Sequence, residues 1–90
     1  MSSVQDNPAR NRFELEENGE LAFATYRKHD NVYVIPHVEA APALRGKGAA
    51  GRLMEGIATL ARANGFRIRP MCPYAVAWFQ RNPAQQDLVA

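Results

Sequence analysis

The sequence predicts a small α/β (α+β) domain of order β-β-β-α-β-α, with a mixed, mainly antiparallel sheet and helices covering it. Three observations carry that expectation. Two stretches of alternating apolar and polar residues flank an Asn-Gly pair. A glycine-rich turn separates a β-branched run from a segment of helical period. A further alternating run follows that segment after one more glycine. Ninety residues suit one small core.

The elements follow in order. Residues 1–10 are polar with one proline and read as a flexible end. In "RFELEE", Phe13 and Leu15 alternate with Arg12, Glu14 and Glu16, as on a half-buried strand. Asn18-Gly19 then precedes Leu21 to Tyr26; both turn residues accept positive φ, the strongest short hairpin signal. "KHDN" is a second turn, with His29 read as solvated. "VYVIPHVEA" is a third strand, and Pro36, which cannot donate to a ladder, marks a bulge or a free edge. From Gly48 onward Leu53, Ile57 and Leu60 recur at helical spacing, with Arg52, Glu55, Thr59 and Arg62 on the other side. Asn64-Gly65 stops the helix. "FRIRPM" is a fourth strand, parallel to the third across the helical crossover. Pro73 opens a second helix, Tyr74 to Arg81, with Trp78 and Phe79 as core, and Pro83 ends it. The tail, residues 84–90, carries no signal, so residues 11–83 form the domain.

Apolar residues make up 47% and charged residues 22%, which argues against disorder. The single cysteine, Cys72, allows neither an intrachain disulfide nor a cysteine metal cluster, and no metal site is expected. No signal-peptide pattern or membrane-length apolar run is present, so the expectation is a cytoplasmic protein with no membrane partner. Net charge is only +2, but it is unevenly placed. Seven of the nine acids precede Ala40, whereas Arg45, Lys47, Arg52, Arg62, Arg67, Arg69 and Arg81 follow it against Glu55 and Asp87 alone. A basic half suits an anionic ligand. Nucleic acid is disfavoured, because no aromatic stacking pattern accompanies the arginines.

The turn Arg45-Gly46-Lys47-Gly48-Ala49-Ala50 between strand and helix presents backbone N–H groups that lack intrahelical partners. With the helix dipole these attract an anion, and small residues let a phosphate approach the chain. Arg45 and Lys47 add charge, the arginine as a planar fork. The plainer alternative is a tight turn with solvated charges. Neither a P-loop nor a Rossmann fingerprint is present. Gly51 and Gly56 lie beyond the turn and suggest close packing of the helix on the sheet.

Arg45-x-x-Gly48-x-Ala50 resembles the pyrophosphate-binding motif of the GNAT N-acetyltransferase superfamily, and Pro42 is placed as in many members. "PHVEAAPALRGKGAAGRLMEGIATLARANGFRIRPMCPYAVAWFQRNP", Pro36 to Pro83, is similar to a short GNAT-like branch with His-x-Glu before the turn and Cys-Pro or Cys-x-aromatic after the next strand. The resemblance implies a cosubstrate, acetyl-CoA or CoA, and an unidentified amine acceptor. Gly46 through Ala50 would hold the pyrophosphate. Val38, Glu39 and Ala40 would line one side of a gap between splayed strands, with a backbone N–H as oxyanion donor. Met71 and Cys72 would line the other. Two departures follow. Larger members carry N-terminal helices that this chain lacks, so the acceptor site is open or completed by a second copy or partner protein. The tyrosine that protonates the leaving thiolate in many members corresponds, counting from Ala75, to Phe79, so that role would pass to Tyr74, Cys72 or water.

Acetyl transfer needs a base, an oxyanion donor and an acid. His37 and Glu39 share one face of a strand, so the carboxylate can tune or merely orient the imidazole. Cys72 opens the second helix, which suits a nucleophilic thiol or, more plainly, an apolar contact. Tyr74 is either an acid or an amphipathic ring at the core edge. The sequence reading is therefore an acetyl-CoA-dependent N-acyltransferase, and the alternative is a CoA-binding or protein-interaction module with weak catalysis.

Overall fold

Asn18 and Gly19 take φ of 53° and 77°, so strand β2 (Arg12–Glu17) folds directly back along β3 (Glu20–His29). A second tight turn at Asp30 and Asn31 returns the chain into β4 (Val32–Ala40). These strands come from a computed structural model that describes residues 4–90. The sheet has five strands in sequence order, because β1 (Gln5–Asn7) pairs antiparallel with β2 and β5 (Arg67–Pro70) pairs parallel with β4. Helix α1 (Ala49–Asn64) joins β4 to β5, and α2 (Pro73–Arg81) follows. The mixed α+β architecture expected from the pattern is the one observed.

Two segments carry more order than their sequence suggests. Part of the end read as flexible is strand β1, held by the Tyr26 hydroxyl donating to Asp6 Oδ1 at 2.6 Å. Burial, reinforced by Asp6, pushes the Tyr26 phenol well above its ordinary range. Met1 to Ser3 lie outside the described residues. The tail forms a 3-10 helix, Pro83–Leu88, with Leu88 buried and Val89 bridged to Ile68. Arg62 on α1 ties it down through both oxygens of Asp87, 2.7 and 2.8 Å away, and through Gln85 and the Ala84 carbonyl.

The buried residues of the strands alternate onto one face: Phe13 and Leu15, Ala22, Ala24 and Tyr26, Tyr33 and Ile35, and Ile68. Leu53, Met54, Ile57, Ala58 and Ala61 of α1 and Ala75, Trp78 and Phe79 of α2 join them in one cluster. Trp78 and Phe79 are thus core, with rings crossed at 5.0 Å. The opposite face, which carries Arg12, Glu14, Phe23, Thr25, His37 and Glu39, is buried at none of these positions.

The glycines inside α1 differ from each other. A side chain on Gly56 would collide with Val4, whose Cβ lies 2.6 Å from the added carbon. So Gly56 makes room for the chain leading into β1, rather than for the sheet. Gly51 is not tightly packed: its nearest neighbour is the Tyr74 hydroxyl at an ordinary 3.6 Å.

Candidate active site

The β4–β5 ladder runs from Val32↔Arg67 to Ile35↔Pro70 and stops there. There the regular spacing is lost, because the Met71 and Cys72 N–H groups both donate to the Ile35 carbonyl, at 2.9 and 3.1 Å. Opposite Ile35 and Pro36, the β3–β4 register shifts between Thr25 and Arg27. Beyond this bulge β4 continues for four residues, His37 to Ala40, with β3 on one side and, among the described residues, no strand on the other.

Register fixes what those residues present. The Ala41 N–H donates to the Leu21 carbonyl at 2.9 Å. By antiparallel alternation Glu39 and His37 also bond toward β3, so the N–H and C=O groups of Val38 and Ala40 point into the gap. The Ala40 carbonyl does receive Arg45 Nε, at 3.3 Å. Val38 and Ala40 side chains lie on the helix-bearing face, half buried. His37 and Glu39 lie on the uncovered face, His37 Nε2 to Glu39 Oε1 being 3.0 Å, with both side chains about half exposed at 55% and 50%. Phe23, paired in register with Glu39, sets its ring 6.3 Å from the imidazole.

The chain leaves β4 through a 3-10 turn, Pro42–Leu44, whose buried Leu44 anchors the next residues. Gly46 and Gly48 then take φ of 76° and 80°, a region that disfavours other residues, and Gly48 caps α1 without any side-chain cap. Arg45 and Lys47 spend their N–H groups inside the turn, on Pro42 and Leu44. The N–H groups of Gly46, Gly48, Ala49, Ala50 and Gly51 have no backbone partner among the described residues, as expected of a helix start. Of the amides from Gly46 through Ala50, that of Lys47 is thus spent inside the turn, while that of Gly51 is also unpartnered. This arrangement fits a diphosphate: bare backbone donors, left-handed glycines and flanking cations, with no acidic residue in the first helical turn.

The candidates from the second helix sit across the gap. Cys72 caps α2 with extended backbone, and its side chain is 9% exposed within the core cluster. Tyr74 is half buried, its hydroxyl beside the first turn of α1. The structure thus brings His37 and Glu39 together on one face and Cys72 and Tyr74 together at the start of α2 on the other. Sequence reasoning missed one ion pair here. Arg52 in the first turn of α1 grips Glu17, the last residue of β2, with Nε and Nη2 each donating at 2.7 Å. That guanidinium holds the Glu17 carboxyl below its ordinary range, and the carboxylate raises Arg52 in turn. A pair 35 residues apart leaves no local spacing signal.

Comparison with known proteins decides the family. The sequence profile of the GCN5-related N-acetyltransferases matches residues 12–88. The chain belongs to that family. Its members use acetyl-CoA as cosubstrate and act on an amine acceptor. A GCN5-like protein from Staphylococcus aureus, named as a candidate N-acetyltransferase and solved in solution by NMR, superposes with a TM-score of 0.72 at 27% identity. The alignment covers 98% of this chain and 87% of that one. No curated protein matches this GCN5-related chain. Among its described residues no helix is long and apolar enough to cross a membrane, and no cluster of metal-ligating side chains forms.

Proposed function

We propose that this GCN5-related protein transfers an acetyl group from acetyl-CoA to a primary amine that approaches from the uncovered sheet face. The observation that carries the reading is the gap beside β4. Its outward Val38 and Ala40 backbone groups adjoin the donor-rich turn at one end, and ionisable side chains lie on both faces. Acetyl-CoA supplies a thioester carbonyl open to attack. Gly46, Gly48, Ala49, Ala50 and Gly51 bind the pyrophosphate through their amides, with Arg45 and Lys47 adding charge. An outward amide of β4, Val38 or Ala40, receives the charge that develops on the carbonyl oxygen. His37, oriented by Glu39, takes the proton that the ammonium must lose before its nitrogen attacks. The C–N bond forms as the C–S bond breaks, and Tyr74 returns a proton to the departing sulfur from the opposite face. Buried Cys72 packs against the gap as an apolar wall rather than as a nucleophile.

Base and acid on opposite faces suit a reaction whose two proton transfers happen on opposite sides of one carbonyl. The test is calorimetric titration of acetyl-CoA, with Gly48→Glu as control, followed by thiol release with a panel of amines. Micromolar binding lost in Gly48→Glu, and turnover lost in His37→Ala and Tyr74→Phe but kept in Cys72→Ala, are expected. Absence of wild-type binding overturns the reading. Binding with turnover no faster than buffer leaves a CoA-binding module, a reading favoured by Phe79, which is core where many relatives carry a tyrosine.

A further inference from the structure

We propose that Arg52 is an additional ligand of the pyrophosphate, aimed at the turn by Glu17. The proposal rests on the CoA reading above and extends that site to two residues outside its motif. Glu17 occupies Nε and Nη2, one edge of the guanidinium, in a two-point fork that fixes the plane of the group. Nη1, on the other edge, makes no hydrogen bond among the described residues. It lies 3.0 Å from the position a Cβ would take on Gly48, the left-handed residue at the centre of the turn. The free edge of the guanidinium therefore lies beside Gly48, whose own N–H and the three that follow it have no backbone partner among the described residues.

The burial of the two partners agrees with this division of labour. The Glu17 side chain is only 13% exposed, a fixed anchor on the sheet, whereas Arg52 is half exposed, with its free edge open to a ligand. A surface ion pair by itself adds little stability. The other cations at the turn are not steered in this way: Arg45 bonds a backbone carbonyl, and Lys47 is an exposed point charge. Glu17 also has a cost for the site once Arg52 is removed, because its carboxylate then stands near the bound anion without a counter-charge.

Calorimetric Kd values for CoA and for 3′-dephospho-CoA, with melting temperatures alongside, test this in Arg52→Gln, Arg52→Lys, Glu17→Gln and the Glu17→Gln/Arg52→Gln double variant. Arg52→Gln should weaken both ligands equally, by about ten-fold. Arg52→Lys should recover only part of that loss, because it lacks the fork. Glu17→Gln should weaken binding by about three-fold in the wild-type background, and should not weaken it further beside Arg52→Gln. A lower melting temperature with Kd within two-fold would make the pair a structural latch and overturn the proposal. A loss confined to CoA, with dephospho-CoA unaffected, would move Arg52 to the 3′-phosphate and also overturn it. If the wild type binds neither ligand, the CoA reading itself has failed, which the unsubstituted protein alone reveals.

Discussion

Gly48 and Gly56 stand about two turns apart on the same helix, and each would be hard to replace, for unrelated reasons. Gly48 is required by its backbone: its φ of 80° lies in the left-handed region, at the point where the turn passes into the unpartnered amides of the helix start. Its missing side chain matters as well, since an added carbon would come 3.0 Å from Arg52 Nη1 and press on the guanidinium that Glu17 holds. Gly56 has ordinary helical backbone and is required for space, because Val4 lies where its side chain would be. One helix therefore offers unpartnered amides at its first turn and room for an edge strand at its middle. A run of glycines in sequence merges these two demands into one signal.

Breaking the first demand should produce the larger effect. Gly48→Ala forces a left-handed conformation on a residue that resists it, at about 1–2 kcal/mol. The turn can relax by abandoning positive φ, and that re-aims the amides. CoA affinity measured by calorimetry should fall at least about ten-fold while far-UV circular dichroism stays native. Unchanged affinity would mean that the amides at this turn do not hold the ligand.

The second demand should register in stability and leave binding alone. Gly56→Ala gains up to about 1 kcal/mol of helix propensity but must displace Val4 and loosen β1. Val4 is attached to the sheet by a short edge strand, so the expected net is a loss of about 1 kcal/mol in urea unfolding, with CoA affinity within two-fold. The clash disappears beside Val4→Gly, where the same substitution should stabilise. Equal effects in both backgrounds would break the link between Gly56 and Val4.

The same contrast explains what the sequence made legible. The β2–β3 hairpin, the full length of β4 and the helix after the glycine turn rest on local patterns, namely Asn18-Gly19, β-branched alternation and the spacing of Leu53, Ile57 and Leu60, and all three appear as expected. The pairing of His37 with Glu39 was legible because residues two apart on a strand share a face. Long-range contacts were not. Strand β1 is tied further in by Asp6 meeting Tyr26, the tail by Arg62 meeting Asp87, and the guanidinium beside the turn is placed by Glu17 meeting Arg52. Each joins residues at least 20 positions apart, and no periodicity encodes that. For the same reason the sequence grouped Gly51 with Gly56, since nothing local tells a crowded glycine from an uncrowded one.

Gly51 therefore offers the smallest effect and the sharpest control. Its φ is not in the left-handed region, and a methyl group there would touch only the Tyr74 hydroxyl at van der Waals distance. Neither the backbone demand of Gly48 nor the spatial demand of Gly56 applies. Alanine should then express its intrinsic advantage in a helix and in the unfolded chain, stabilising by roughly 0.4–1 kcal/mol in urea unfolding. The Gly51 amide stays available, so CoA affinity should remain within two-fold. Turnover adds a separate reading, because the Tyr74 hydroxyl is the methyl group's nearest neighbour. If Gly51→Ala binds CoA normally yet lowers kcat, the glycine is there to give that hydroxyl freedom to reach the departing sulfur. If it destabilises the protein as Gly56→Ala does, α1 is packed more tightly at its start than a 3.6 Å approach allows, and the division of the helix into a ligand end and a packing end does not hold.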